Sequence, residues 1–151
     1  MDFQYSHQPE PHKERTKQIL KAHPEVRNLI GRNPVSAVIT IFVVALQFVI
    51  AYLLADQAWW LTIIVAFLVG AFADHTLFVL IHEASHNLIF KNRTLNTIFG
   101  IIADLPKVVP SYVSFKSYHL KHHSFQGDYY LDADLASKWE AKLIGNSFVG
   151  K

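Results

Sequence analysis

Residues 35–55 are 21 consecutive positions without a charged side chain. As a helix at 1.5 Å per residue, the run is about 31 Å long, one bilayer core. The competing reading is a buried helix of a water-soluble protein; length and uniform apolarity favour the membrane span. A second apolar run fills residues 59–81, interrupted by Gly70, Asp74 and His75. Only Asp56, Gln57 and Ala58 separate the two, and Trp59 and Trp60 then stand where an aromatic interfacial belt belongs. The expected fold class is an all-α membrane protein: a transmembrane helical hairpin with cytosolic and interfacial helices.

Charge sets the orientation. The connection at 56–58 carries no lysine or arginine, whereas Lys13, Arg15, Lys17, Lys21, Arg27 and Arg32 precede the first span. Lys91, Arg93 and Lys107 follow the second. The positive-inside rule therefore places both ends in the cytosol. On that topology Asn92-Arg93-Thr94, a glycosylation acceptor by pattern, never meets the lumen.

The rest of the chain reads as short helices. Residues 1–33 form a polar cytosolic leader without the apolar core of a signal peptide. Residues 11–22 fit a short helix, and Pro24-Glu25-Val26 starts another that Gly31 ends. Residues 95–105 are apolar but too short to span, which suits an interfacial or re-entrant helix stopped by Pro106. Residues 111–123 are expected to be helical and cytosolic. Gln126-Gly127-Asp128 is a turn, Asp132 and Asp134 lie in an acidic loop, and an amphipathic helix starts near Trp139. A net charge of +2 gives no sign of nucleic acid as a partner.

The chain has nine histidines and no cysteine. On a helix His82 and His86 are about 40° apart, and His75 lies within about 20° of both, roughly 10 Å along the axis. A second cluster, His119, His122 and His123, falls within about 100°. His7, His12 and His23, in the leader, carry no metal role. A lone histidine in an apolar helix is often structural, yet an ionisable residue inside a span is by default a functional one. His75, with Asp74 beside it, is a metal ligand, a residue supporting the ligands, or a polar group on a substrate tunnel.

His82-Glu83-Ala84-Ser85-His86 is also H-E-x-x-H, the pattern in which two histidines hold zinc and glutamate is the general base. A zinc protease needs one further ligand, usually distant. Here a dense H-x-x-H-H box follows 33 residues after His86. Three more imidazoles exceed what one tetrahedral zinc uses, and many imidazoles without thiolate suit a two-iron centre better. Oxidation of an unactivated C–H bond in a lipid tail also needs a redox metal.

The two boxes, His82 to His86 and His119 to His123, resemble the first two histidine boxes of the membrane fatty-acid desaturase superfamily. The resemblance narrows to the sphingolipid delta-4 desaturases through Asp2-Phe3, Gln8-Pro9, His12, Arg15, Ile19-Leu20 and Pro24-Glu25. Leu105-Pro106, Ser114-Phe115-Lys116 and Asp132-Ala133-Asp134 agree with it. That resemblance implies oxidation of dihydroceramide to ceramide, with a trans double bond placed in the sphingoid base; some members hydroxylate the same position. It implies two iron ions, O2 as co-substrate, and electrons from cytochrome b5 and its NADH-dependent reductase. By position His82, His86, His119, His122 and His123 become iron ligands, while Glu83, Asp74 and His75 are left as supporting or tunnel residues.

The superfamily carries a third H-x-x-H-H box after further spans, and no histidine follows His123. The chain is accordingly expected to be the amino-terminal part of a desaturase, with leader 1–33 and partial desaturase domain 34–151, inactive alone. The membrane is the endoplasmic reticulum if the source is eukaryotic and the inner membrane if bacterial. The alternatives are an intramembrane zinc protease using His82, Glu83 and His86, and a non-catalytic membrane fragment.

Overall fold

In the computed structural model, which describes residues 11–144, the chain is helical and no strand occurs among the described residues. It divides into two compact units, Ile30–Ser117 and a second made of Met1–Leu29 with Tyr118–Lys151. The leader motifs Asp2-Phe3 and Gln8-Pro9, and His7, lie outside the described residues.

In Ile30–Ser117 the first apolar run forms α2 (Val35–Leu54), and the second forms α3 (Trp59–Val65) and α4 (Ala71–Ser85) joined by a π turn at Ala66–Gly70. The second helix thus runs over Trp59–Ser85, 27 residues, and carries His82 in its last turn. It continues four residues past the expected end at Ile81, because His82 to Ser85 stay helical although three of these four side chains are polar. The π turn coincides with the interruption at Gly70; such turns are rare and sit disproportionately at functional segments. Both helices are long and apolar enough to cross a membrane.

The faces explain the packing. On a 100° wheel Ala73, Leu77, Leu80 and Ala84 of α4 fall within about 60° of one another. These residues are buried, Leu77 and Ala84 completely. Helix α2 contacts both α4 and α5, and its buried residues, among them Ser36, Ala37, Thr40 and Val43, are small or β-branched side chains that let helices approach closely. His75, His82 and His86 fall on the opposite side of the same wheel, about 180° away. The outer faces expose Phe42, Tyr52, Phe67 and Phe72, side chains that a lipid environment would cover.

A helix, α5 (Arg93–Asp104), occupies the apolar stretch expected to be helical at 95–105. Asn92 caps it, its Oδ1 accepting from the N–H of Thr94 at 2.8 Å and of Leu95 at 3.2 Å. Asn96, fully buried, ties the α4–α5 connection: Oδ1 accepts from the N–H of Ile89 and Phe90, and Nδ2 donates to the carbonyls of Phe90 and Asn92. Asn96→Ala leaves several buried backbone groups unsatisfied at about 1–3 kcal/mol each. A total loss of about 3 kcal/mol or more is expected, measurable as a lowered denaturation midpoint.

At the other end of α5, Asp104 organises the entry to α6 (Tyr112–Phe125). Its carboxylate accepts from the N–H of Ser111, from the Ser111 hydroxyl at 3.2 Å and from the Tyr112 N–H at 2.6 Å. Tyr112, 1% exposed, then packs against Gly100, where a side chain would occupy the space of its ring.

The other unit contains α1 (His12–Ala22), the second half of α6 and α7 (Lys138–Ile144). The piece starting at Pro24 is a 3-10 helix, Pro24–Leu29, rather than an α-helix. Ser137 and Glu140 form a reciprocal capping box at the start of α7: the Ser137 N–H donates to Glu140 at 2.7 Å, and the Glu140 N–H donates to the Ser137 hydroxyl at 3.2 Å. The hydrogen bonds from Ser137 hold the Glu140 carboxyl below the usual glutamate range.

Candidate metal centre

Two helices supply the imidazoles. On α4 the rings of His82 and His86 pack edge to face with centroids 4.7 Å apart, the outcome of i, i+4 spacing across the last turn. The first turns of α6 meet this face through Phe115, whose ring stands 5.3 Å from Phe78 and 6.4 Å from His82. Helix α6 continues unbroken, and one turn apart along it Phe115, His119 and His123 share a stripe. His119 and His123 bring their Nε2 atoms to 3.0 Å with rings at 88°. Two imidazole lone pairs at that distance repel unless a proton or a cation lies between them.

Each box thus offers a pair of imidazoles one turn apart, His82 with His86 on α4 and His119 with His123 on α6. Imidazole nitrogens without thiolate suit a borderline metal such as iron or zinc. The donor set fits the iron that the sequence implies.

His122 is placed differently. Its Nδ1 is 2.7 Å from Oδ1 of Asp132 and 3.7 Å from Asp134. Asp132, with a side chain 1% exposed, also accepts from the N–H of Gly127 at 2.8 Å and of Asp134 at 2.9 Å. The hydrogen bond to Asp132 raises the His122 pKa above the ordinary imidazole value, against partial desolvation. Burial of Asp132 opposes its ionisation, but the donors from Gly127, His122 and Asp134 outweigh it and hold the carboxyl below the usual aspartate range.

Glu83, inside the first box, turns toward α2. The Ser36 hydroxyl donates to its Oε2 at 2.5 Å. A residue 100° round the helix from His82 faces a different neighbour, and here that neighbour is a buried serine. Asp74 accepts an ion pair from Lys107 at 2.7 Å. His75 is exposed.

Three partners escaped sequence reading. Ser36 looked like one more neutral residue at the head of a span. Lys107 counted only as a positive charge, and Asp132 only as part of an acidic loop. An aspartate nine or ten residues after a histidine box is a weak local signal, since the pairing depends on how the intervening turn closes.

The fatty acid desaturase family pattern matches residues 58–144, and that of sphingolipid Delta4-desaturase matches residues 1–35. Over 146 residues the chain is 42% identical to a protein of Oryza sativa subsp. japonica named sphingolipid delta(4)-desaturase DES1-like, covering 97% of this chain and 44% of that protein. It is 42% identical over 146 residues to the sphingolipid delta(4)-desaturase of Schizosaccharomyces pombe, covering 95% of this chain and 40% of that protein. A putative sphingolipid delta(4)-desaturase/C4-monooxygenase of Caenorhabditis elegans is 37% identical over 145 residues, with 95% and 40% covered. The chain therefore spans less than half the length of these relatives. No solved structure matches. With the matched segment running from residue 58 to residue 144 and so taking in both histidine boxes, the chain belongs to the fatty acid desaturase family, and its first 35 residues carry the sphingolipid Delta4-desaturase pattern.

Proposed function

We propose that this chain is the amino-terminal part of a di-iron membrane desaturase that places a trans Δ4 double bond in the sphingoid base of dihydroceramide, giving ceramide. The observation that carries this reading is the pairing of imidazoles within each box, His82 with His86 and His119 with His123, in a chain alike along nearly all its length to sphingolipid delta(4)-desaturases. Bound iron supplies the activation of O2 that removal of hydrogen from an unactivated C–H bond requires. His82, His86, His119, His122 and His123 hold the metal. The leader 1–33 lies in the cytosol, and the segment 34–151 carries the hairpin and both boxes at the cytosolic membrane face. That face is where electrons from cytochrome b5 and its reductase arrive. The membrane is the endoplasmic reticulum in a eukaryote. The Asp74–Lys107 ion pair ties the loop after α5 to the second span, and His75 faces the substrate tail.

The test is made on the whole protein carrying this segment, expressed in cells that lack Δ4-unsaturated sphingoid bases. Ceramide with the trans Δ4 bond should accumulate, and the purified protein should contain iron. Zinc in place of iron, or hydrolysis of a peptide without lipid product, would overturn the reading. Glu83→Gln separates the two chemistries further. The amide oxygen still accepts from Ser36, so a desaturase should keep its iron and remain within about tenfold of its activity. A zinc protease would lose its general base and with it all turnover. For the topology, an accessibility tag inserted at residues 56–58 is expected to report the non-cytosolic side. Cytosolic labelling there would remove the hairpin arrangement.

A further inference from the structure

Asp132 has no place in the histidine boxes, yet it is the most enclosed side chain of its loop. Leu131, Ala133 and Asp134 around it are exposed, and its own side chain is 1% exposed. A carboxylate is costly to remove from water unless it is paired and hydrogen-bonded. Here it is both. Oδ1 accepts from the His122 ring and from the Asp134 N–H, and Oδ2 accepts from the Gly127 N–H. The Asp132 N–H donates in turn to the Asp128 carbonyl at 2.8 Å. Gly127 reaches its place with φ +85°, a conformation that favours glycine, so the turn after α6 bends back far enough for its amide to reach the carboxylate.

The loop has little apolar reason to fold this way, since Tyr130 is 84% exposed. What it achieves is the delivery of one charged acceptor to one ring nitrogen of the H-x-x-H-H box. A neutral imidazole carries one N–H and one lone pair. With Nδ1–H donating to Asp132, the lone pair resides on Nε2, and the ring cannot rotate without breaking a charge-assisted hydrogen bond of 2.7 Å. Carboxylates in this relation fix the tautomer and direction of a ligating histidine and make its other nitrogen a stronger donor.

We propose that Asp132 is the positioning residue of the second histidine box, holding His122 with Nδ1 engaged and Nε2 presented to metal. This rests on the reading of the boxes as an iron site. Asp134, 3.7 Å from the same ring and exposed, adds charge but no hydrogen bond of its own.

The experiment measures how fast the whole, iron-loaded protein gives up iron to a chelator, normalised to folded protein. Asp132→Asn keeps size and removes charge; it is expected to release iron about 10–100-fold faster. Asp132→Glu restores a carboxylate one methylene further out and should recover part of that loss. In a His122→Ala background Asp132→Asn should add nothing, because the effect passes through that ring. Wild-type release from Asp132→Asn would overturn the proposal. So would its full effect persisting without His122, which is what a simple loop fastening gives. If Asp132→Asn does not fold, Asp132→Glu alone decides: release at an intermediate rate supports positioning, and wild-type release overturns it. Failure of the iron reading shows separately, as unchanged iron retention when His82 is replaced by alanine.

Discussion

His82→Ala in the whole protein is expected to abolish iron retention and Δ4 product, a fall of more than about 100-fold, since it removes a ligand where support residues alone command 10–100-fold. The geometry makes the effect specific. His82 packs against His86 at 4.7 Å and lies 6.4 Å from Phe115, so the change deletes one nitrogen donor from the first box and one contact between α4 and α6. To separate these, His82→Gln keeps comparable volume and a polar tip. It should fold as the parent does, shown by an unchanged thermal midpoint without metal, and still lose iron. Iron content measured per folded protein, together with sphingoid-base analysis of the host, decides it. Retention of iron by both variants would mean that the first box does not bind metal.

Gly100→Ala is expected to damage the same site from a distance. Helix propensity favours alanine by about 1 kcal/mol. Against that, a methyl group at Gly100 would stand inside the Tyr112 ring. That ring is 1% exposed, and its backbone N–H is fixed to Asp104 at 2.6 Å, so it has little freedom to withdraw. Overpacking of this kind costs about 1–3 kcal/mol or more. The net change is a loss of roughly 2 kcal/mol, and the first element to shift is the start of α6, which carries His119, His122 and His123 seven to eleven residues on. A reduced denaturation midpoint and weakened iron retention should appear together. Tyr112→Leu in the Gly100→Ala background should restore part of both, because it removes the ring that the methyl meets.

Much of the architecture was legible because it depends on local properties. The uncharged run at 35–55 became α2, Val35–Leu54, and the expected helix at 95–105 became α5, Arg93–Asp104. Proline and glycine punctuation worked as well: Pro106 lies beyond the end of α5, Pro110 precedes α6, and Gly127 turns the chain after it. Where reading fell short, the missing information was of another kind. The π turn at Ala66–Gly70 left only a glycine as its trace. The start at Pro24 gave a 3-10 helix, a piece whose six residues are too few to nucleate a stable α-helix alone.

The sequence by itself determined that two long apolar helices exist, and that His82 with His86, and His119 with His123, share faces, because hydropathy and helical spacing act between near neighbours. The tertiary structure alone decided the partners. Glu83 meets Ser36, 47 positions away, and Asp74 meets Lys107, 33 positions away. His122 takes Asp132, and Tyr112 rests on Gly100. These contacts arise where faces of different helices, or the two ends of a turn, come together. No periodicity within one segment encodes which residue will stand opposite.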